Sequence, residues 1–169
     1  MKELILTLIS EDRPGIVDKV ASVIHLHDGS WMESRMTQMA GKFVGIVRVT
    51  CPIVNIDAMT GALADLSEAG IRITVEEGQT SEISTETYVA VNITANDRLG
   101  IVREVANCLA ALNINLEDLQ TDCSTAAMSS SAMFHASFLT VIPEEVTVED
   151  VIAALESLSD DLMVDIDSE

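Results

Sequence analysis

Two short segments of the chain combine charged side chains with a glycine in a pattern that suits a binding loop. Residues 12–17 read Asp-Arg-Pro-Gly-Ile-Val, and residues 97–102 read Asp-Arg-Leu-Gly-Ile-Val. A glycine lets the backbone approach a ligand closely, and a helix that starts behind it offers unpaired N–H groups to a carboxylate. The aspartate at the front of each segment can accept an ammonium group. The segments therefore predict a small site with the two polarities of an α-amino acid.

A second interpretation of the same residues needs no ligand. Asp12 and Asp97 would then cap the following helix with their side chains, and the glycines would only allow a tight turn. Pro14 would occupy the first turn of the helix, where proline is favoured. The sequence leaves both interpretations open.

The two segments belong to a repeat that spans the chain. Their offset is 85 residues, and Val20-Ala21 and Val105-Ala106 keep it. By Pro52 and Pro143 the offset has grown to 91, so the second copy carries six extra residues. We place these in a surface loop at residues 124–131. A repeat this long exceeds a solenoid unit and indicates a duplicated small domain.

Both copies show the same order of predicted elements: strand, helix, strand, strand, helix, strand. Apolar residues at helical spacing follow each loop, and alternating segments follow each helix. This order predicts an α+β protein of two ferredoxin-like domains, each an antiparallel sheet with helices on one face. The predicted boundaries are 1–79 for the first domain, 80–87 for a linker and 88–169 for the second domain.

Several residues mark the ends of these elements. Ala40-Gly41 predicts a tight turn between two strands of the first copy. Gly29 and Asn113 suit the left-handed position at a helix end. Thr147-x-x-Asp150 predicts a capping box at the last helix.

Composition excludes several classes of function. The chain of 169 residues has 9 Lys and Arg against 28 Asp and Glu, a net charge of −19. This charge repels the phosphates of nucleic acids and anionic membranes, so we expect no direct contact with either. No apolar run approaches the roughly 20 residues that span a bilayer, and the first residues do not resemble a signal peptide. Three widely spaced cysteines form no disulfide framework, so we expect a cytoplasmic protein.

No residue pattern typical of catalysis or of a metal or nucleotide cofactor is present. His25 and His27 are two residues apart on a predicted helix, so their rings point in different directions. His135 stands alone in a predicted strand, and the sequence has neither a phosphate-binding glycine motif nor a nucleophile elbow. We therefore expect a protein that is not an enzyme and that needs no cofactor or metal.

Two features predict association with other proteins. Residues 4–9 and 44–49 are richer in apolar side chains than a strand with one buried face requires, which predicts a homo-oligomer or contact with the sister domain. Carboxylates crowd the C-terminal quarter from Glu144 onward. They form either a solvated helix face and tail or an acidic docking surface for a basic partner.

The loop sequences and the doubled element order resemble ACT domains, small regulatory modules that bind amino acids. A tandem pair without an attached catalytic or DNA-binding domain is similar to the glycine cleavage system transcriptional repressor family. This resemblance implies control of a transcription activator through protein contact, in response to a small amino acid such as glycine. It also implies a ligand pocket near the loops, at domain interfaces, that involves Asp12, Arg13, Pro14, Gly15, Ile16, Asn96, Asp97, Arg98, Gly100 and Ile101.

Other functions fit the same features. The chain could be a regulatory subunit that controls a metabolic enzyme in response to an amino acid, or a dimerisation module whose pockets are vestigial. The second copy has Leu99 where the first has Pro14. We therefore expect the two copies to bind a ligand unequally.

Overall fold

The computed structural model describes residues 1–78, 87–125 and 132–167. The chain divides into two compact units, Met1–Ile83 and Ser84–Glu169, called domain 1 and domain 2 below. Each has the order β-α-β-β-α-β and an antiparallel sheet. This confirms the predicted fold class. The predicted linker lies outside the described residues except for Thr87, so its bounds stay a prediction.

Domain 1 is built around a sheet of four strands in the order β2-β3-β1-β4. A 3-10 turn stands on each side of the second helix, at Ile53–Asn55 and Leu66–Ala69. The strands and helices are β1 Lys2–Glu11, α1 Ile16–Leu26, β2 Ser30–Met39, β3 Lys42–Cys51, α2 Ile56–Asp65 and β4 Ile71–Glu77.

Domain 2 repeats this topology with the strand order β6-β7-β5-β8. Its elements are β5 Val89–Asn96, α3 Ile101–Ala111, β6 Glu117–Thr125, β7 Ala132–Thr140, α4 Val148–Glu156 and β8 Met163–Asp167. Of the predicted loop at 124–131, Ser124 and Thr125 continue β6, and the rest lies outside the described residues. None of the described helices has the length and apolar character to cross a membrane.

The core of each domain lies between its sheet and its helices. Every second residue of the central strand is buried, and the buried residues of the helix recur every four positions. The buried side chains of the strand and of the helix therefore lie together on one side of the sheet. In domain 1 these residues are Leu4, Leu6, Leu8, Ile16, Val20 and Ile24. Their counterparts in domain 2 are Val89, Val91, Ile93, Ile101, Val105 and Leu109.

The opposite face of the sheet differs between the domains. In domain 1 it carries Ile9, Val44 and Ile46, of which Ile46 is 54% exposed. Domain 2 has Thr94 and His135 at the positions of Ile9 and Val44, and Thr94 Oγ1 lies 3.2 Å from His135 Nδ1. On the same face Leu139 and Met163 are 36% and 61% exposed. Both sheet faces therefore expose apolar side chains, and the consecutive apolar residues that predict association lie in domain 1.

Three of the four predicted end signals are confirmed. Ala40 and Gly41 form the turn between β2 and β3 with φ of 49° and 77°. Asn113 has a φ of 57° after α3. Thr147 and Asp150 form the capping box of α4, in which the Asp150 N–H donates to Thr147 Oγ1 over 3.1 Å.

The prediction for Gly29 is wrong, because Asp28 takes the left-handed position with a φ of 57°. Glycine is instead required at position 29 because the structure leaves no space there for a side chain. A Cβ on Gly29 would lie 2.8 Å from Ile24 Cγ2 and 2.9 Å from the Ile24 carbonyl oxygen. The same carbonyl accepts a hydrogen bond from the Gly29 N–H over 2.9 Å, which holds the chain against the end of α1.

Gly29→Ala should therefore lower the free energy of unfolding of domain 1 by about 1–3 kcal/mol, because the new methyl group collides with α1. Gly61→Ala is the matched control, since a Cβ on Gly61 in α2 would meet nothing within 4 Å. Alanine is favoured in a helix, so this control should be neutral or stabilising by up to about 1 kcal/mol. Urea unfolding measures both, and equal effects would contradict the steric explanation.

Candidate functional site

The candidate site in each domain is the loop that joins the first strand to the first helix. Gly15 and Gly100 directly precede α1 and α3 with φ of 89° and 88°. A residue with a side chain is strained in this conformation. The glycines let the strand turn at once into a helix, whose first N–H groups lack helical partners and lie at the loop.

The loops are attached to the neighbouring hairpins by backbone hydrogen bonds. The Asp12 N–H donates to the Gly41 carbonyl over 3.1 Å, and the Asp97 N–H donates to the Ala132 carbonyl over 2.8 Å. Both aspartates are exposed. Each carboxylate thus stands at the surface, at the strand end of its loop.

The interpretation that these aspartates cap the helices is wrong. The N-cap residues are Gly15 and Gly100, and neither helix start has a side-chain cap hydrogen bond. Pro14 also precedes α1 instead of occupying its first turn. The left-handed glycine places the aspartate three residues before the N-cap, so its carboxylate does not serve the helix.

The equivalent arginines of the two loops have different partners. The Arg13 guanidinium donates to the Ala69 carbonyl, at the turn before β4. In domain 2, Arg98 Nη2 lies 2.6 Å from Glu104 Oε2 in the first turn of α3. The hydrogen bond from Arg98 lowers the pKa of the Glu104 carboxyl. Arg98 is thus engaged by a carboxylate of its own helix.

Asp161 is a part of the domain 2 loop region that the sequence analysis did not single out. Its carboxylate accepts hydrogen bonds from Ser159 Oγ and from the Asn96 N–H, the latter over 2.8 Å. These bonds lower the pKa of Asp161 to about 2. In the sequence it is one of the carboxylates of the acidic C-terminal quarter. Asp161 aligns with Gly70 at the offset of 91, and this change from glycine to aspartate is the feature of the sequence that could have identified it.

Ser10 was also missed, and it lies at the end of β1. It is 4% exposed, and its Oγ has no hydrogen-bond partner among the described residues. Its counterpart in domain 2 is Ala95. A serine in a strand resembles ordinary polar alternation in the sequence, and only burial distinguishes it.

The remaining predicted residues divide between the loop and the core. Residues 12–15 form one exposed loop, whereas Ile16 and Ile101 are each 3% exposed and anchor their helices in the core. Asn96 takes part through its backbone N–H. Among the described residues no group of three or more side chains could hold a metal ion. His27, one of the two neighbouring histidines considered as metal ligands in the sequence, has its Nδ1 2.8 Å from the Val23 carbonyl oxygen.

Residues 2–76 match the family model of the ACT domain. Domain 1 is an ACT domain. The match spans domain 1, and domain 2 repeats its element order and sheet topology, so the chain is a tandem of ACT-type folds.

Two solved structures share the architecture of the whole chain. An unknown protein from Galdieria sulphuraria is 21% identical with a TM-score of 0.80, and the match covers 99% of this chain and 98% of that chain. A protein provisionally described as a glycine cleavage system transcriptional repressor is 17% identical with a TM-score of 0.71, with the same coverage. At these identities the two structures show the fold alone. No curated protein matches this sequence.

The hydrogen bonds of Asp161 lead to a prediction of how the stability of domain 2 depends on pH. Its pKa falls from about 3.9 in an unfolded chain to about 2 in the folded protein, so its contribution to stability is complete above about pH 4 and is lost as the pH falls towards 2. Asp161→Asn should destabilise domain 2 at pH 6, and its difference from the natural protein should shrink between about pH 4 and pH 2.

Chemical unfolding at several pH values measures this difference. Asp165→Asn is the matched control, since Asp165 is an exposed residue of β8. A destabilisation by Asp161→Asn that stays constant down to pH 2 would contradict the role of the charged carboxylate.

Proposed function

We propose that this protein is a regulator that responds to an amino acid and alters the activity of a transcription factor through protein contact. The observation that carries the proposal is the match of domain 1 to the ACT family. The structure with the same tandem fold that is provisionally described as a glycine cleavage system transcriptional repressor supports the transcriptional role. In this proposal the protein performs no catalysis.

The proposed ligand is a small amino acid, with glycine as the first candidate because of that neighbour's description. The N–H groups at the start of the helix would receive the carboxylate, since the positive end of the helix dipole favours an anion there. The exposed carboxylate of Asp12 would accept the ammonium group. We assign the ammonium contact in domain 1 to the exposed loop 12–15.

Ligand binding would act by favouring one of two conformations of the protein, in proportion to the difference in its affinity for the two. The net charge of −19 favours a partner with a basic surface and disfavours direct contact with nucleic acid. Regulation through a bound protein is therefore more consistent with the charge than regulation through DNA.

Homo-oligomerisation is part of the proposal and is supported by the exposed aliphatic side chains on the sheet of domain 1, such as Ile46. Light scattering tests it, and a mass of 18.2 kDa, that of one chain, would contradict it. A cytoplasmic location is supported by three cysteines that remain free thiols.

Thermal unfolding in the presence of each of the twenty amino acids tests the ligand. A ligand that binds only the folded state adds about 2.7 kcal/mol at a hundred times its Kd, so glycine should raise the unfolding midpoint measurably. Asp12→Ala should abolish this shift because the ammonium group loses its acceptor. Asp57→Ala, which removes an exposed carboxylate at the start of α2, is the matched control and should keep the shift. The absence of a shift with every amino acid would contradict the proposal.

Affinity purification from an extract of the protein's own cells tests the partner. We expect a DNA-binding activator to be retained at low salt and released at high salt, because screening weakens contacts between an acidic and a basic surface. Recovery of a metabolic enzyme instead would favour the function of an enzyme regulatory subunit. A partner whose affinity does not change with salt would exclude the acidic surface as the contact.

A further inference from the structure

The duplication allows each residue around the domain 1 loop to be compared with its counterpart in domain 2. β1 and α1 correspond to β5 and α3 at the offset of 85. β4 and β8 correspond at 91, since the pairs Leu6–Val75 and Val91–Ile166 occupy the same place in the two sheets. Several positions in and around the loop differ in chemistry, among them Ser10 and Ala95, Asp18 and Arg103, Lys19 and Glu104, and Gly70 and Asp161.

The first difference concerns a carboxylate in domain 2. The side chain of Asp161 accepts a hydrogen bond from the backbone N–H at the end of β5, at 2.8 Å. Its counterpart Gly70 has no side chain. A Cβ built on Gly70 would have Arg13 Nη2 as its neighbour, at 3.8 Å. Domain 1 thus has open space beside a guanidinium where domain 2 holds a carboxylate.

The second difference is the buried hydroxyl of Ser10. It lies on the side of the sheet that carries the helices, at the strand end where the loop to α1 begins, and it pairs across the sheet with Ile71, next to Gly70. A buried hydroxyl without a partner is costly and uncommon, so its presence indicates a missing partner. Domain 2 has Ala95 at this position and needs none.

The third difference is the charge at one position in the first turn of the helix. Lys19 is exposed there in domain 1, and its positive charge favours an anion at the loop. Glu104 replaces it in domain 2, holds Arg98 at 2.6 Å and would repel a second carboxylate. Asp18 and its counterpart Arg103 have the opposite charges, so each first turn is neutral overall. The differences that favour an anionic group in domain 1 are therefore those at Gly70 and Ser10.

We propose that domain 1 alone binds the carboxylate of the amino acid, between the start of α1 and Gly70, with Ser10 Oγ and Arg13 as donors in addition to the helix N–H groups. In domain 2 the Asp161 carboxylate occupies the corresponding place, so that domain binds no ligand there. This inference rests on the proposed function and adds to it a stoichiometry of one ligand per chain, with Ser10 as a specificity-determining residue.

Isothermal titration of the full chain with glycine, and with any other amino acid that shifts the unfolding midpoint, tests the inference. We expect one site per chain. Ser10→Ala should weaken binding about tenfold, since the carboxylate loses one hydrogen bond. The same change should leave the free protein equally or more stable, because it removes an unsatisfied hydroxyl. A purely structural serine would not combine a loss of affinity with unchanged or higher stability.

Charge variants of the two helices provide the matched pair. Lys19→Glu, on the exposed side of α1, should weaken binding about threefold or more because it adds a second negative charge beside Asp18 at the start of the helix. Glu104→Gln in α3 should leave the affinity unchanged. In an NMR titration, amide shifts should be confined to domain 1, around residues 10–19 and 69–71.

The outcomes separate this inference from the proposed function. Two equal sites per chain, amide shifts around Asp161, or an unchanged affinity in both Ser10→Ala and Lys19→Glu would overturn the inference while amino-acid binding stands. If none of the twenty amino acids binds the natural protein, the proposed ligand function fails and the inference fails with it.

Discussion

A glycine in the left-handed conformation stands between the first strand and the first helix of each domain, and the candidate site depends on it. With φ near 90° at Gly15 and Gly100, the chain leaves the strand and enters the helix without an intervening capping side chain. The first N–H groups of the helix are therefore left for a ligand or solvent, and the aspartate before the glycine is left at the surface. A capping aspartate would have satisfied one of these N–H groups.

Duplication kept this backbone and changed the side chains around it. Both domains have the same strand order and comparable cores, because core packing constrains every second strand residue and every helix residue on one face. The positions outside the core diverged. One sheet face is aliphatic around Ile46, whereas its counterpart carries Thr94 and His135. The loop region diverged in the same way, with a glycine in domain 1 and a hydrogen-bonded carboxylate at Asp161 in domain 2.

This divergence gives the two domains different physical properties. The domain 2 loop is satisfied internally by the Arg98–Glu104 ion pair and by the bonds of Asp161. The domain 1 loop retains an unpartnered hydroxyl at Ser10, among the described residues. Unsatisfied groups cost stability and are common where a protein binds something else. A regulator with one self-satisfied domain and one incomplete domain would respond to its ligand through domain 1.

Local patterns in the sequence were enough to establish the order of the elements, the α+β fold class and the repeat. The Ala40-Gly41 turn and the Thr147–Asp150 capping box were also predictable, because their geometry depends on residues within one turn of each other. The loop motif could be located in the same way, since its aspartate, arginine and glycine are adjacent in the chain.

Only the tertiary structure decided how the loop residues are used. The conformation of Gly15 excludes the aspartate as a cap, and the space beside Ile24 explains Gly29, although both glycines look like ordinary turn residues in the sequence. Asp161 and Asn96 are 65 residues apart, and Ser10 is distinguished only by its burial. Such contacts depend on how distant segments pack, whereas sequence periodicity reports only which side of its own element each residue occupies.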